Sequence, residues 1–429
     1  MEAKQPKILV FTVAAWNSKV GSNTWASLLE KYGSENIANI CIRDEIPDNP
    51  VCDNYFSISE NKVIKSILNR KIKTGKRVEA TETVTEQTED LNEHNERYVK
   101  MKKKRRYSML LAREIVWKLG VWKTAELDRF LDDFKPDIIL HSMEGYIHLN
   151  RIIEYAVKKT GAKAVGYIWD DNFTYKQSKE LGYKLYRFFQ RSSLKRLAKI
   201  TNAFFAISDM TKEEADEFFG IDCKILTKPL NGTPVVEYGE IKKPLKMLYT
   251  GKLIIGRDKT LLAVCEAASK FNGDFTVDVY TPTVLSEEAY KELESLGCNI
   301  HKPIPQKEVL LKQKEADVLL FLEDIDGPDC RIARLSFSTK TTDYLSAGKC
   351  ILAVGYENTA PMQYFIKYNA ALTACSKEEI FEKLSCLSND TEAVVRYAES
   401  AKTVGLANHD KAKVFEIFDS TIKALIDQH

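Results

Sequence analysis

The chain has 429 residues, of which 44% are hydrophobic and 29% are charged, with a formal net charge of +2. This composition is typical of a soluble globular protein and excludes disordered and collagen-like chains. The near-neutral charge creates no overall positive field, so we expect no nucleic-acid partner. The length suffices for two or three domains.

Nine cysteines occur without a C-x-x-C pair, which fits a reducing cytoplasm better than a metal framework. The first residues turn polar too early for a secretory signal. No apolar run reaches the roughly 18 residues that are needed to span a bilayer. We therefore expect a cytoplasmic protein, with any membrane contact peripheral on the inner face of the cell membrane.

The first half of the chain alternates between apolar strand patterns and amphipathic helix patterns. This alternation predicts β-α-β units around a parallel sheet. The expected strands are PKILVFTVAA, IANICI, DIILHS, AKAVGYIW, NAFFAIS and CKILTK. The expected helices include a long one over 175–199 and another that begins near Asp209, a plausible cap.

PLNGTPVVEYGEIKKP then interrupts the alternation, and we interpret it as a linker. Strand and helix patterns resume after it, from LKMLYTG to AALTA. We predict an α/β protein with two Rossmann-like, doubly wound domains that face each other across a cleft. The predicted units are a first domain at 1–235, a second domain at 236–404 and a C-terminal helix at 405–429, after a break at Gly405–His409, that returns to the first domain.

A polar, acidic and aperiodic stretch at 76–97 predicts a mobile surface insertion in the first domain. Basic segments with interleaved apolar residues flank it. The second of these carries a cluster of cations that precedes Trp117 and Trp122, namely Lys102, Lys103, Lys104, Arg105 and Arg106. Such a cluster favours an anionic membrane surface or an acceptor patch, and the alternative is a solvated helix face.

A hydroxyl-rich segment with one lysine opens a helix in the second domain. Ser338 is a good N-cap, and Thr339 and Lys340 follow it in the first turn. The free N–H groups, the helix dipole, the hydroxyls and the ammonium together suit a phosphate. Asp343, one turn further on, suits a sugar diol such as a ribose. The alternative interpretation is a capped helix with a solvated polar face.

This segment, STKTTDYLSAGKCILA, resembles the Ser-Lys-x-x-Glu-Tyr-x-x-x-Gly-Lys-Pro segment of GT-B glycosyltransferases of the group-one, family-four type. The resemblance implies that Asp343 holds the ribose of a nucleotide sugar, and that Ser338, Thr339 and Lys340 hold its diphosphate. YTGKLIIGRDKTLLAVCEA resembles the family's first strand-helix turn in the second domain, which implies that Lys252 and Arg257 are basic diphosphate ligands.

Further along, TKPLNG resembles the family's run into the linker, and Gly21 stands where the family has a glycine loop near the donor diphosphate. The chain also departs from the pattern. The family often has an acid at the position of Leu335, and it has arginine where Lys252 stands, which replaces a bidentate fork with a point charge. No residue of this chain is assigned to the role of the acid that is missing at position 335.

Two residues at predicted strand ends are candidates for catalysis. His141 ends DIILH, where a histidine that faces the cleft would position a reacting hydroxyl; the alternative is a hydrogen-bonded strand-end histidine. Asp170 ends the next strand and is a candidate acid or base on the acceptor side, or else a turn aspartate.

The acidic loop EDIDGPD contains Asp-x-Asp, a pattern that holds a divalent metal in GT-A enzymes. Such loops are also common turns, and lysine and arginine make a metal unnecessary for a diphosphate. We expect no metal and no cofactor.

The resemblance implies a retaining hexosyltransferase for cell-surface polysaccharide synthesis. It would use a nucleotide diphosphate-sugar, with UDP-sugar the first choice, and a glycan or lipid-linked glycan as acceptor. Two alternatives stay open. One is an epimerase of nucleotide sugars with the same fold, and the other is a nucleotide-sugar or glycan binder without catalysis, which the missing acid at Leu335 favours.

Overall fold

The structure is a computed structural model that describes residues 5–16, 24–44, 47–78 and 107–427. It contains two α/β domains, each built on a largely parallel sheet, as predicted. The described residues contain no helix that is both long and apolar enough to cross a lipid bilayer.

The first domain has an eight-stranded sheet in the order β4-β3-β2-β1-β5-β6-β7-β8. Its strands are β1 (Ile8–Thr12), β2 (Ile37–Cys41), β3 (Asn54–Ile58), β4 (Gly75–Val78), β5 (Ile138–Ser142), β6 (Lys163–Ile168), β7 (Ala203–Ala206) and β8 (Lys224–Ile225). Every pair is parallel except β3 with β4.

The helices of this domain are α1 (Thr24–Leu29), α2 (Glu60–Ser66), α3 (Tyr107–Leu119), α4 (Ala125–Phe134), α5 (Ile147–Thr160), α6 (Leu181–Ala198) and α7 (Asp209–Phe219), with a 3-10 turn at Ser34–Asn36. Helix α7 is capped by the Ser208 hydroxyl, not by Asp209, because Ser208 precedes the first helical residue. The expected insertion begins later than residue 76, since β4 occupies 75–78. Its residues 79–97 lie outside the described ranges.

The second domain has a six-stranded parallel sheet in the order β11-β10-β9-β12-β13-β14. Its strands are β9 (Leu245–Thr250), β10 (Phe275–Tyr280), β11 (Cys298–His301), β12 (Val318–Leu322), β13 (Cys350–Val354) and β14 (Leu372–Ala374). Its helices are α8 (Arg257–Ala268), α9 (Glu287–Ser295), α10 (Gln306–Glu315), α11 (Thr339–Ala347), α12 (Ala360–Tyr368), α13 (Lys377–Asn389) and α14 (Ala393–His409), with 3-10 turns at Ser269–Phe271 and Pro328–Arg331.

Continuous apolar strands form in both sheets because helices cover both faces. In β1, Leu9 and Phe11 face one core of the first domain, and Ile8 and Val10 face the other. The side chains therefore alternate between two buried layers, and the polar groups of the loops at the carboxyl ends of the strands are left to form the cleft.

The last helix, α15 (Lys411–Ile426), packs against the first domain, where Val414 and Phe418 share a core with β1. The expected break at Gly405–His409 is wrong. Helix α14 continues through Gly405 to His409, and Asp410 caps α15 by accepting a hydrogen bond from the Lys413 N–H at 3.0 Å.

Polar contacts join the two domains beside the cleft. The Arg334 guanidinium donates to both carboxylate oxygens of Glu214 and lies 3.6 Å from the Asp171 carboxylate. The Thr211 hydroxyl donates to the Leu335 carbonyl at 3.3 Å. The position of the missing family acid is therefore buried against the first domain, since Leu335 is 0% exposed.

Candidate active site

A cavity of about 400 Å³ lies between the domains at the carboxyl ends of the first sheet. Its first-domain wall follows β1, β5 and β6, and its second-domain wall is the start of α11. The lining includes residues 12–16, Ser142, Glu144, Trp169, Asp170, Lys228, 336–339 and Thr342. Ligands of open α/β sheets bind at such strand ends.

The start of α11 presents hydrogen-bond donors to this cavity. Ser338 caps the helix, and its hydroxyl accepts from the Lys340 N–H at 3.3 Å. The Thr342 hydroxyl is 1% exposed, lines the cavity and has no hydrogen-bond partner among the described residues. Because an unsatisfied buried hydroxyl is costly, a bound acceptor such as a phosphate oxygen would be stabilised here.

The side chain of Lys340 extends from α11 toward β9 of the same domain. Its ammonium donates to the Tyr249 hydroxyl at 2.8 Å and lies 4.2 Å from the centre of that ring. A Cβ atom on Gly251 would come within 2.6 Å of Lys340 Cε, so glycine leaves the space that the lysine occupies. Desolvation, with repulsion from Arg257, lowers the pKa of Lys340 to about 7.

Arg257 opens α8 beside Lys340, but it is already paired. Its guanidinium forms a bidentate ion pair with Glu323 at 2.8 and 3.0 Å and also donates to the Leu322 carbonyl. The Glu323 charge raises the pKa of Arg257 against the effect of desolvation. Lys252 lies in the β9–α8 loop next to Gly251, with an exposed side chain. The structure thus brings Lys340 and Arg257 close together, and the Tyr249 hydroxyl that Lys340 contacts donates to the Lys252 carbonyl.

Asp343 forms an ion pair with Lys228, with 2.7 Å between the ammonium and the carboxylate. The two side chains are 14% and 13% exposed, and Lys228 lines the cavity. The carboxylate expected to hold a ribose is therefore pre-oriented by a cation from the segment that follows β8. No local pattern in the sequence singles out Lys228.

Two carboxylates, Glu144 and Asp170, stand on the opposite wall. The Ser142 hydroxyl donates to Glu144 at 2.7 Å, and the Ser336 hydroxyl of the second domain donates to Asp170. The Asp170 side chain is exposed to the cleft. Its carboxylate is nevertheless partly desolvated by the residues around it, and this desolvation raises its pKa. Desolvation also raises the pKa of Glu144, and the Asp170 charge adds to that rise.

His141 does not face the cavity, so the expectation about its direction is wrong. It is 0% exposed, and its Nε2 lies 3.1 Å from the Thr201 hydroxyl behind the sheet. Burial lowers its pKa to about 4. Because side chains alternate along a strand, the next residue, Ser142, points into the cavity instead. Glu144, which lies two residues after Ser142, was not selected from the sequence. The signal that could have identified it is an acidic residue close to the end of a buried strand.

Aromatic side chains complete the first-domain wall. Trp25, Tyr167 and Trp169 pack edge to face, with ring centres 5.1 to 6.1 Å apart. The indole N–H groups of Trp16 and Trp25 are buried and have no hydrogen-bond partner within the described ranges. Both residues line the cavity, and their rings, 3% and 2% exposed, give this wall an apolar backing.

Two groups of predicted residues lie outside the described ranges, namely Gly21 and the basic patch Lys102, Lys103, Lys104, Arg105 and Arg106. Trp117, which favoured membrane contact, is 0% exposed; its indole donates to Glu60 at 3.0 Å. Within the described ranges, no three or more His, Cys, Asp or Glu side chains are grouped to hold a metal ion.

No protein-family model matches the chain, and no curated protein matches it in sequence. Solved structures match over nearly its whole length. Anabaena HepE in complex with UDP and glucose is 9% identical with a TM-score of 0.60, over 98% of this chain and 100% of that one. The Thermosynechococcus elongatus sucrose-phosphate synthase is 8% identical with a TM-score of 0.62, over 99% and 100%. The chain has the GT-B fold.

A third match with this GT-B fold is the lipopolysaccharide outer core galactosyltransferase WaaB, which is 13% identical with a TM-score of 0.60, over 97% of this chain and 99% of that one. At these identities the likeness concerns the fold. The catalytic chemistry of this chain depends on the residues that line its own cavity.

Proposed function

We propose that the protein is a glycosyltransferase that moves a sugar from a nucleotide diphosphate-sugar to a hydroxyl of a glycan or lipid-linked glycan. The observation that carries the proposal is one cavity with two unlike walls. The start of α11 with its hydroxyls forms the second-domain wall, and two carboxylates with tryptophans form the first-domain wall. Lys340, in the first turn of α11, contacts Tyr249 and lies near Arg257 in the second domain. A sugar donor with a diphosphate needs a wall of hydrogen-bond donors, and an acceptor hydroxyl needs a carboxylate on the opposite wall of the cavity.

The second-domain wall suits the donor. The N–H groups at the start of α11, with the hydroxyls of Ser338, Thr339 and Thr342, would bind the diphosphate. Lys340, Arg257 and Lys252 would offset its charge. Asp343 would accept hydrogen bonds from the ribose. HepE was solved with UDP and glucose, which supports a UDP-sugar as the donor.

The first-domain wall suits the acceptor. The partly exposed ring of Trp169 would pack against the apolar face of a sugar, and Trp16 and Trp25 would support that wall from behind. Glu144 and Asp170 would bind the reacting hydroxyl, and the ionised carboxylate of the pair would assist removal of its proton. Asp170 is the catalytic residue among the sequence predictions that lies in the cavity, and Glu144 joins it.

The leaving diphosphate gains charge as the sugar bond breaks. Cations and N–H groups that are already in place lower the energy of that state without reorganisation. The diphosphate would also raise the pKa of Lys340, because the anion stabilises the ammonium, so the lysine would be charged in the complex. This scheme needs no metal ion. Retention of the anomeric configuration is the outcome that the family resemblance implies.

Cell-surface polysaccharide synthesis in the cytoplasm, with peripheral contact at an anionic membrane, completes the proposal. The cluster of cations at 102–106 in the sequence supports that location.

Thermal melting with a panel of nucleotides and nucleotide sugars tests the donor assignment, since a ligand raises the melting temperature only by binding the native state more tightly. Product analysis then separates the three functions. A transferase releases UDP when an acceptor is present, an epimerase forms an isomeric nucleotide sugar without one, and a binder forms neither product. The configuration of the new linkage tests retention.

A further inference from the structure

Three neighbouring helices of the first domain expose large apolar side chains. Helix α3 contacts both α2 and α6. Leu68 is 95% exposed directly after α2, and Leu181 is 83% exposed at the start of α6. The others are Ile64, Met109, Ile115, Leu119, Leu185, Phe188 and Phe189. Monomeric soluble proteins rarely expose apolar residues in such a group without a partner.

These side chains are not a poorly packed core. The inner face of α3 is already occupied, because Trp117 stacks on His148 at 4.5 Å and donates to Glu60. His148 Nδ1 lies 2.9 Å from the Glu114 carboxylate, and the Arg113 guanidinium pairs with Glu60. Among the described residues, the outward apolar side chains of α3 therefore stay exposed: Met109, Ile115 and Leu119 are 41%, 57% and 53% exposed.

The charge on the same helices is positive. Exposed cations alternate with the apolar residues, including Lys62, Lys65, Arg70, Lys118 and Lys184. Helix α6 contains no acidic residue, and the single acid of α3, Glu114, is 6% exposed. The N-cap residue Glu180, directly before α6, is exposed and acidic.

We propose that α2, α3 and α6 form a docking surface for an anionic lipid bilayer. Protruding leucines and phenylalanines insert into the acyl boundary, and lysines and arginines bind the phosphate headgroups. A bilayer accepts projecting side chains without a matching pocket, whereas a protein partner must provide one. A symmetric dimer through this face would bring two positive surfaces together, which disfavours a second copy as the occupant.

The surface is connected to the acceptor wall of the cavity. The Gly145 carbonyl accepts hydrogen bonds from Gln190 at 2.7 Å and from Tyr186 at 3.3 Å, both on α6. Glu144, which precedes Gly145, lines the cavity. Docking at α6 therefore places the carboxylate wall beside the membrane, where a lipid-linked acceptor would stand; this last step rests on the proposed function.

Vesicle sedimentation of the full-length chain tests the surface. We expect binding to vesicles of phosphatidylcholine with phosphatidylglycerol, weaker binding to phosphatidylcholine alone, and weaker binding at high salt. The double variant L181S/F188S should lower the partition coefficient by about tenfold or more, because two inserting groups are lost. The matched control V284S/L311S changes two exposed apolar residues of the second domain, 95% and 61% exposed, and should bind as the unmodified chain does.

Absence of vesicle binding would overturn the proposal, and so would an equal loss in both double variants. Association of the chain with itself in solution, abolished by L181S/F188S and without vesicle binding, would assign the surface to a second copy and also overturn it. UDP-induced melting shifts of L181S/F188S should match those of the unmodified chain. That measurement separates failure of this surface from failure of the proposed donor site.

Discussion

The two walls of the cavity are built in different ways. The donor wall is the short continuous start of α11, which lines the cavity. The charged side chains on and beside this segment are already partnered: Arg257 with Glu323, Lys340 with Tyr249 and Asp343 with Lys228. The acceptor wall is assembled from the ends of separate strands, and its carboxylates have raised pKa values. In the proposed function, the donor wall would hold an anion and the acceptor wall would exchange a proton.

The largest effect should come from the acceptor wall. The double variant E144Q/D170N removes both carboxylates while it keeps their shapes, so turnover, measured as UDP released in the presence of acceptor, should fall by about 10²- to 10⁴-fold. UDP affinity should remain unchanged, because the donor wall is intact. D132N, at an exposed carboxylate of the same domain, is the matched control. Unchanged turnover in E144Q/D170N would remove the acceptor wall from the chemistry.

The next effect should come from Lys340. K340A removes a charge-assisted contact to the diphosphate, and the UDP dissociation constant should rise by about 10- to 100-fold. The fold should persist, because the Tyr249 hydroxyl still donates to the Lys252 carbonyl at 2.8 Å. K246A, at the other end of β9, is the control. Equal UDP affinity in both variants, measured by calorimetry, would place the diphosphate elsewhere.

A smaller effect should follow from pH. The free protein holds the pKa of Lys340 at about 7, so the side chain is largely neutral at pH 8, and a bound diphosphate raises that pKa. UDP binding at pH 8 should therefore take up a proton, and affinity should fall by up to about fivefold between pH 7 and pH 8. Calorimetry in buffers of different ionisation enthalpy measures the uptake. Proton uptake that persists in K340A would assign it to another group.

The smallest effect should come from Asp343. A carboxylate that binds the ribose diol distinguishes UDP from 2′-deoxy-UDP, and D343N should reduce that preference by about fivefold, because one charged acceptor becomes neutral. The ratio of the two dissociation constants is the measurement. A ratio that is the same in D343N and in the unmodified chain would show that Asp343 does not contact the ribose.

The sequence was sufficient for the fold and for selecting the start of α11, which lines the cavity. Buried parallel strands give continuous apolar runs, and the α11 segment is local, so its cap, lysine and acid could be recognised together. The ion pairs could not be foreseen, because Glu323 and Lys228 meet their partners only in the folded chain.

The acceptor wall shows where sequence reasoning failed. A shift of one residue along β5 directs His141 behind the sheet and Ser142 into the cavity. Glu144 belongs to a loop whose direction depends on contacts with α6, which no local pattern reveals. Trp117 seemed suited to an interface by its neighbours in sequence, but its stacking on His148 places it in the core.

Hydrogen exchange of the backbone amides, measured on the full-length chain with and without UDP, locates the UDP-binding site most directly. We predict slower exchange in peptides that cover 249–258 and 335–347, where the N–H groups and cations would hold the diphosphate, and unchanged exchange in 60–73. Protection that is absent from 335–347, while UDP is bound elsewhere in the chain, would contradict the assignment of the cavity.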